Sequence, residues 1–159
     1  MRLEEFMKQY TKSAKRVLQE AKRVAVAFEH EYIGSEHILL GLCKEKNGVA
    51  AKVLAENEVL AEKIEDLIKQ VIKKESELLV RCTMEYTPKV EKILDQAQAM
   101  AQKELFDEIG TEHILISLLK ENDCVAVRML NTLGVNLQKL YVDFKSSLWT
   151  RFKFSQNRI

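Results

Sequence analysis

Gly34-Ser35-Glu36-His37-Ile38-Leu39-Leu40-Gly41-Leu42 returns 76 positions later as Gly110-Thr111-Glu112-His113-Ile114-Leu115-Ile116-Ser117-Leu118. Residues 10–59 align without a gap on residues 86–135, with 18 identities in 50. Apolar matches alone would say little, because a core tolerates interchangeable apolar side chains. The retained Gly, Glu and His are polar or backbone-special, so the two copies are expected to share a local geometry. The chain reads as a tandem duplication, and whatever one copy binds the other is expected to bind as well.

Five Gly and one Pro in 159 residues are too few for a turn-rich β protein. Ala, Leu, Lys, Glu and Gln are abundant, and these lose little rotamer freedom in a helix. A chain of this length buries roughly 70% of its unfolded surface, enough for one domain or two small ones. The formal charge of +1 gives no global field for nucleic acid or membrane. The first residues lack the apolar core of a signal peptide, and no apolar run approaches the roughly 18 residues of a membrane span. Cys43, Cys82 and Cys124 are odd in number and widely spaced, which argues against a disulfide framework and for a reducing, cytoplasmic setting.

Apolar residues at three- and four-residue steps place the first helix over 12–29, with its copy opening at Pro88. Thr87-Pro88 is a start signal, Thr as cap and Pro at the first helical position. Ser35 and Thr111 read as the caps of the second helix, each after a glycine that can turn sharply. Third helices are expected near 49–56 and 125–132. A fourth carries Ile64, Leu67, Ile68, Val71 and Ile72, answered by Leu137, Leu140, Tyr141, Phe144 and Leu148. The fold class is therefore all-α: two tandem four-helix units, 6–75 and 85–148, joined by residues 75–85 and packed about an approximate two-fold axis in one body.

No Gly-x-x-x-x-Gly-Lys-Ser/Thr loop, no His-Glu-x-x-His and no Cys-x-x-Cys occurs, and His30 has no copy in the second repeat. Neither a cofactor nor a metal site is expected, and the chain reads as a non-catalytic binding module. Glu36 and Glu112 admit two readings. Each is an exposed first-turn acid that complements the helix dipole by about 0.3–1 kcal/mol, or a carboxylate placed to grip a guanidinium through paired hydrogen bonds. A capping box is not expected, because three positions after Ser35 and Thr111 stand Ile38 and Ile114. His37 and His113 read as packing or hydrogen-bonding residues. Thr11 and Thr87 read as caps of the first helices, and a helix start is also an anion site. A ligand with both a phosphate and a guanidinium would suit such a set.

Tyr-Thr-x-x-Ala/Val before the first helix, Ile-Gly-Ser/Thr-Glu-His-Ile-Leu before the second and Val-Ala-x-x-x-Leu in the third resemble the N-terminal domain of Clp unfoldases, most closely the ClpC type. The resemblance covers about residues 6–148. It implies a double-repeat domain that receives substrates and adaptor proteins for a Clp ATPase and protease machinery. In the ClpC type it also implies recognition of phosphoarginine-bearing proteins, the guanidinium at Glu36 and Glu112 and the phosphate at Thr11 and Thr87, one pair in each repeat. Ser35 replaces the motif's Thr in the first copy. Glu91 sits where family members often carry a base, which would oppose phosphate at Thr87. The family's ATPase modules are missing from the chain, and residues 149–159 read as a basic aromatic tail at a frayed end. Two other readings are an accessory protein that docks on and regulates the machinery without binding phosphoarginine, and a helical scaffold whose sites have decayed.

Overall fold

The computed structural model describes residues 9–71 and 85–156. Among these, the first repeat holds α1 (Lys12–Ala27), β1 (Tyr32–Ile33), α2 (Ser35–Lys44), α3 (Val49–Glu56) and α4 (Ala61–Val71). The second holds β2 (Glu85–Tyr86), α5 (Pro88–Lys103), α6 (Thr111–Lys120), α7 (Val125–Thr132) and α8 (Leu137–Gln156). The all-α expectation holds, as do the bounds expected for α3 and α7. α1 stops at Ala27, two residues early, because Phe28 caps it and Glu29 turns left-handed. Helix α8 runs on to Gln156 through most of the segment expected as a tail. The expected connector lies outside the described residues up to position 84.

Helices α1 and α5 each bury one stripe, Ala14, Val17, Leu18, Ala21, Val24 and Ala25 in the first and Val90, Ile93, Leu94, Ala97 and Ala101 in the second. By contrast α2 and α6 are buried from Ser35 through Leu42 and from Thr111 through Leu119. A helix apolar nearly all round must sit at the centre of its unit, and α1, α3 and α4 surround α2.

Left-handed residues end the helices in register. Glu29 (φ 59°) corresponds to Leu105 (φ 62°), and Glu58 (φ 63°) to Gly134 (φ 75°). After each, an amide reaches back five residues: His30 to Ala25, Phe106 to Ala101, Val59 to Leu54 and Val135 to Leu130, at 2.8–3.1 Å. Those bonds satisfy last-turn carbonyls and fix where the chain leaves the helix.

The repeats exchange contacts reciprocally. β1 pairs with β2 in parallel, Tyr32 with Glu85 and Ile33 with Tyr86, and Tyr10 bridges Ile109. The Ser35 hydroxyl accepts the Ala126 amide of α7 at 3.0 Å, and the Thr111 hydroxyl accepts the Ala50 amide of α3 at 3.3 Å. Ser35 and Thr111 therefore do cap helices, but each caps the third helix of the other repeat. Each of these contacts has its counterpart when the repeats are exchanged, which is the expected pseudo-two-fold arrangement. One core runs through both units, from Tyr10 and Leu40 to Ile116 and Phe144. Among the described residues no helix is long and apolar enough to cross a membrane.

Candidate functional site

The caps of α2 and α6 are the glycines, one residue earlier than expected. Gly34 has φ −99° and ψ 176°, Gly110 φ −94° and ψ 174°. The two turns share one backbone, as the duplication implies, and neither glycine is left-handed. The need for glycine is steric. A Cβ on Gly34 would stand 2.0 Å from Glu36 Oε1, and one on Gly110 2.2 Å from Glu112 Oε1. Each carboxylate folds back over its own cap.

That fold-back overturns the expectation that the two acids are solvent-accessible: Glu36 and Glu112 are each 1% exposed. The side chains lie inward along the turn instead of outward from the first helical turn. Burial pushes the Glu36 carboxyl up to about 7, a hydrogen bond to its own backbone partly opposing the shift. Its Oε1 has no hydrogen-bond partner, and a buried, unpaired oxygen costs about 1–3 kcal/mol. His37 Nδ1 stands 3.4 Å from it.

His37 is the third helical residue, and its Nδ1 accepts the Gly34 amide at 2.9 Å; His113 does the same for Gly110 at 2.9 Å. This is the returning half of a capping box, with imidazole in place of Glu or Gln. With Gly34 and Gly110 as caps, the third helical positions are His37 and His113, not Ile38 and Ile114. Because Nδ1 is an acceptor, the proton of neutral His37 lies on Nε2, which donates to His30 Nδ1 at 2.7 Å. Burial, and then His30, lower the His37 pKa to about 3, so the ring stays neutral. His30 stacks between Phe28 and Tyr32 at 5.8 and 5.9 Å. In the second repeat Phe106 takes its place, with its ring nearly perpendicular to that of His113 at 4.8 Å.

Thr11 and Thr87 cap α1 and α5 as expected, their hydroxyls accepting the Ala14 and Val90 amides at 3.1 and 3.2 Å. The strand contacts, however, place them across the repeats. The Thr87 amide donates to Ile33 O at 3.1 Å, directly before Gly34, and the Thr11 amide to Ile109 O at 2.9 Å, directly before Gly110. The helix start beside the Glu36 turn is thus that of Thr87, and the one beside the Glu112 turn is that of Thr11. The four residues form two cradles, but not the within-repeat pairs that the resemblance implies. A helix start directs first-turn amides outward, so each of these cross-repeat pairs sets amide donors beside a buried carboxyl.

The cradles differ at their rims. At the Thr11 side the first helical residues are Lys12 and Ser13, with Lys15 one turn in. At the Thr87 side Pro88 removes one amide donor, Glu91 adds an acid to the first turn, and Lys89 is held by Asp123 at 2.8 Å and Glu121 at 3.4 Å. Burial pushes the Cys43 thiol up to about 12 and raises that of Cys124, so neither offers a thiolate nucleophile. The described residues hold no cluster of three potential metal ligands.

The sequence pattern of the Clp repeat (R) N-terminal domain family matches residues 9–81 and again 85–156. Among curated proteins, the "Negative regulator of genetic competence ClpC/MecB" of Bacillus subtilis is 40% identical over 130 residues, 82% of this chain and 16% of that protein. The "ATP-dependent Clp protease ATP-binding subunit ClpC" of Staphylococcus saprophyticus is 39% identical over 129 residues, 81% of this chain and 16% of that protein. The chain thus spans about one sixth of the length of these relatives. Among solved structures, the N-terminal domain of the chaperone ClpD from Arabidopsis thaliana superposes with a TM-score of 0.75 at 19% identity, over 89% of this chain and 98% of that one. A ClpV N-domain in complex with a VipB peptide superposes with a TM-score of 0.66 at 17% identity, over 89% of this chain and 88% of that one.

Proposed function

The chain belongs to the Clp repeat N-terminal domain family, and on that premise we propose that it is the recognition module of a ClpC-type ATP-dependent unfoldase in the cytoplasm. In this reading it receives adaptors and substrate proteins and carries no catalysis of its own. Its marked substrates bear phosphoarginine, which binds in the two cross-repeat cradles. The observation that carries the proposal is a carboxylate folded over a cap glycine beside the helix start of the other repeat, built twice. The phosphate sits at the half-buried threonine on the first-turn amides, and the guanidinium points inward to the carboxylate. At Glu36 the ligand supplies the donor that Oε1 lacks.

The cradles differ in strength under this proposal. Glu112 with Thr11 binds more tightly, because Lys12 keeps its amide and two lysines stand nearby. Glu36 with Thr87 binds less tightly, because of Pro88, Glu91 and a carboxyl that is half-protonated near pH 7. Calorimetric titration of free phosphoarginine at pH 7.5 tests both statements. Glu112→Ala should weaken the tighter site by about 10- to 150-fold, the loss of a charge-assisted hydrogen bond of roughly 1.5–3 kcal/mol. Glu36→Ala should leave that site in place. A folded double variant that still binds as well as wild type would end the phosphoarginine reading.

A further inference from the structure

Between α5, α6 and α8 the second repeat has an open groove of about 1130 Å³, away from the cradles. Its apolar surface comes from Ala99, Met100, Ile116 and Val142, the last 51% exposed. Ser117 also lines it, fully buried, with a hydroxyl that has no hydrogen-bond partner. Three lysines stand on the rim, Lys103, Lys120 and Lys145. Of the two rim carboxylates, Glu121 is already held by Lys92 at 3.1 Å and Lys89 at 3.4 Å, which leaves Glu104.

The corresponding place in the first repeat is narrower, an opening of about 480 Å³ lined by charged side chains. There Glu20 binds Arg23 and, at 3.4 Å, Lys44, which also reaches Glu65 at 2.8 Å. Helix α1 lies close against Gly41, where a Cβ would stand 2.6 Å from the Val17 carbonyl oxygen. Shifted by one repeat, Glu20 becomes Gln96, Arg23 becomes Ala99, Glu65 becomes Tyr141 and Gly41 becomes Ser117. Those changes replace the ion pairs that line the narrower opening with apolar or neutral side chains, and put a side chain where α1 packs closest on Gly41.

We propose that this groove is a docking site for an amphipathic helix of a partner protein, with apolar anchors on one face and acidic residues flanking them. An apolar floor between helices takes anchors at i, i+3 or i+4, and i+7. The three rim lysines, faced by Glu104 as the remaining carboxylate, select carboxylates on the flanks and repel basic partners. Seated anchors would cover Ala99, Met100 and Val142. The groove gives a surface to the adaptor-binding half of the function above and does not rest on the phosphoarginine half.

The test uses the 159-residue chain and two synthetic 15-residue helix-forming peptides without phosphoarginine, both with Leu at i, i+4 and i+7, one flanked by Glu and one by Lys. The Glu peptide should bind at least about tenfold more tightly at low salt, shifting the amide resonances of Ala99, Ile116 and Lys145 and leaving those of Gly34 and Gly110 in place. Gln96→Glu with Ala99→Arg, which transplants the Glu20–Arg23 pair of the first repeat, should abolish binding. Lys120→Glu with Lys145→Glu should reverse the preference between the peptides, whether or not the first variant folds. Equal binding of the two peptides, a preference that survives charge reversal, or groove resonances that move with protein concentration alone (a second copy as occupant) would each overturn the proposal.

Discussion

The Glu36 turn and the Glu112 turn have the same cap backbone, φ −99° and ψ 176° against φ −94° and ψ 174°. Their surroundings are different. Behind His37 stands a second imidazole in an aromatic stack; behind His113 stands Phe106. Facing the first turn is a helix start with Pro88 and Glu91, and facing the second is one with Lys12 and Lys15. The turn geometry is set by three residues within it: a glycine that leaves room, a glutamate that fills the room, and a histidine that caps the glycine amide. Its neighbours can diverge without moving it, so the two copies differ in electrostatics while keeping one shape.

The largest effect should come from filling the space under the carboxylate. Gly34→Ala would place a methyl group 2.0 Å from Glu36 Oε1 and Gly110→Ala one 2.2 Å from Glu112 Oε1. Each should cost about 1–3 kcal/mol, the range for overpacking, the lower end applying where the glutamate can swing away. Combining Gly34→Ala with Glu36→Ala should recover most of that loss in urea unfolding, because the clash has been removed with the side chain. A Gly34→Ala protein as stable as wild type would mean that the carboxylate does not lie over the glycine and that the shared geometry has another cause.

A smaller effect should follow pH. The folded Glu36 carboxyl keeps its proton up to about 7 whereas the ordinary value is 4.5. Stability from this group is therefore greatest below 4.5 and is lost as pH rises through 7. His37 works in the opposite sense. Its folded pKa is lowered from 6.5 to about 3, so its contribution is present above 6.5 and is lost as pH falls toward 3. Above about pH 6.5 only the Glu36 slope remains of the two. Glu36→Gln, which keeps the shape without the charge, should stabilise the fold by about 1–2 kcal/mol at pH 8 and by much less at pH 5. A pH-independent gain would show that burial does not oppose the charge on Glu36.

Much of the fold was legible because the duplication checks every helix assignment against a second copy. Val49–Glu56 and Val125–Thr132 have the expected bounds, since apolar spacing and flanking breaks agree in both copies. The site was legible as residues but not as geometry. A glycine before a helix suggests conformational freedom, whereas Gly34 leaves the space that a Cβ would take under Glu36. Spacing presents Ser35 as the cap of its own helix, whereas its hydroxyl accepts the Ala126 amide at 91 residues' separation. The pairing of Thr87 with the Glu36 turn rests on strand pairs of two residues, too short for any alternation to announce them. Local spacing carries no information on which repeat supplies the neighbour.

The smallest effect should come from exchanging the residues behind the two imidazoles, and it bears most directly on the comparison. His30→Phe takes from His37 Nε2–H its acceptor at 2.7 Å and leaves a buried donor unpaired. The second repeat already packs Phe against the equivalent ring, so volume is not the difficulty and the cost should be about 1 kcal/mol. Phe106→His should change stability by less than that. If the turn is set from within, the Gly34 amide keeps its bond to His37 Nδ1 in His30→Phe. Its hydrogen exchange should then slow or quicken only with global stability, while the His37 Nε2–H resonance is lost or shifts. Exchange at Gly34 that quickens far beyond the global change would mean that His30 holds the turn through His37. The two copies would then share a backbone for different reasons, and a phosphoarginine cradle at Glu36 would depend on a residue that the cradle at Glu112 does without.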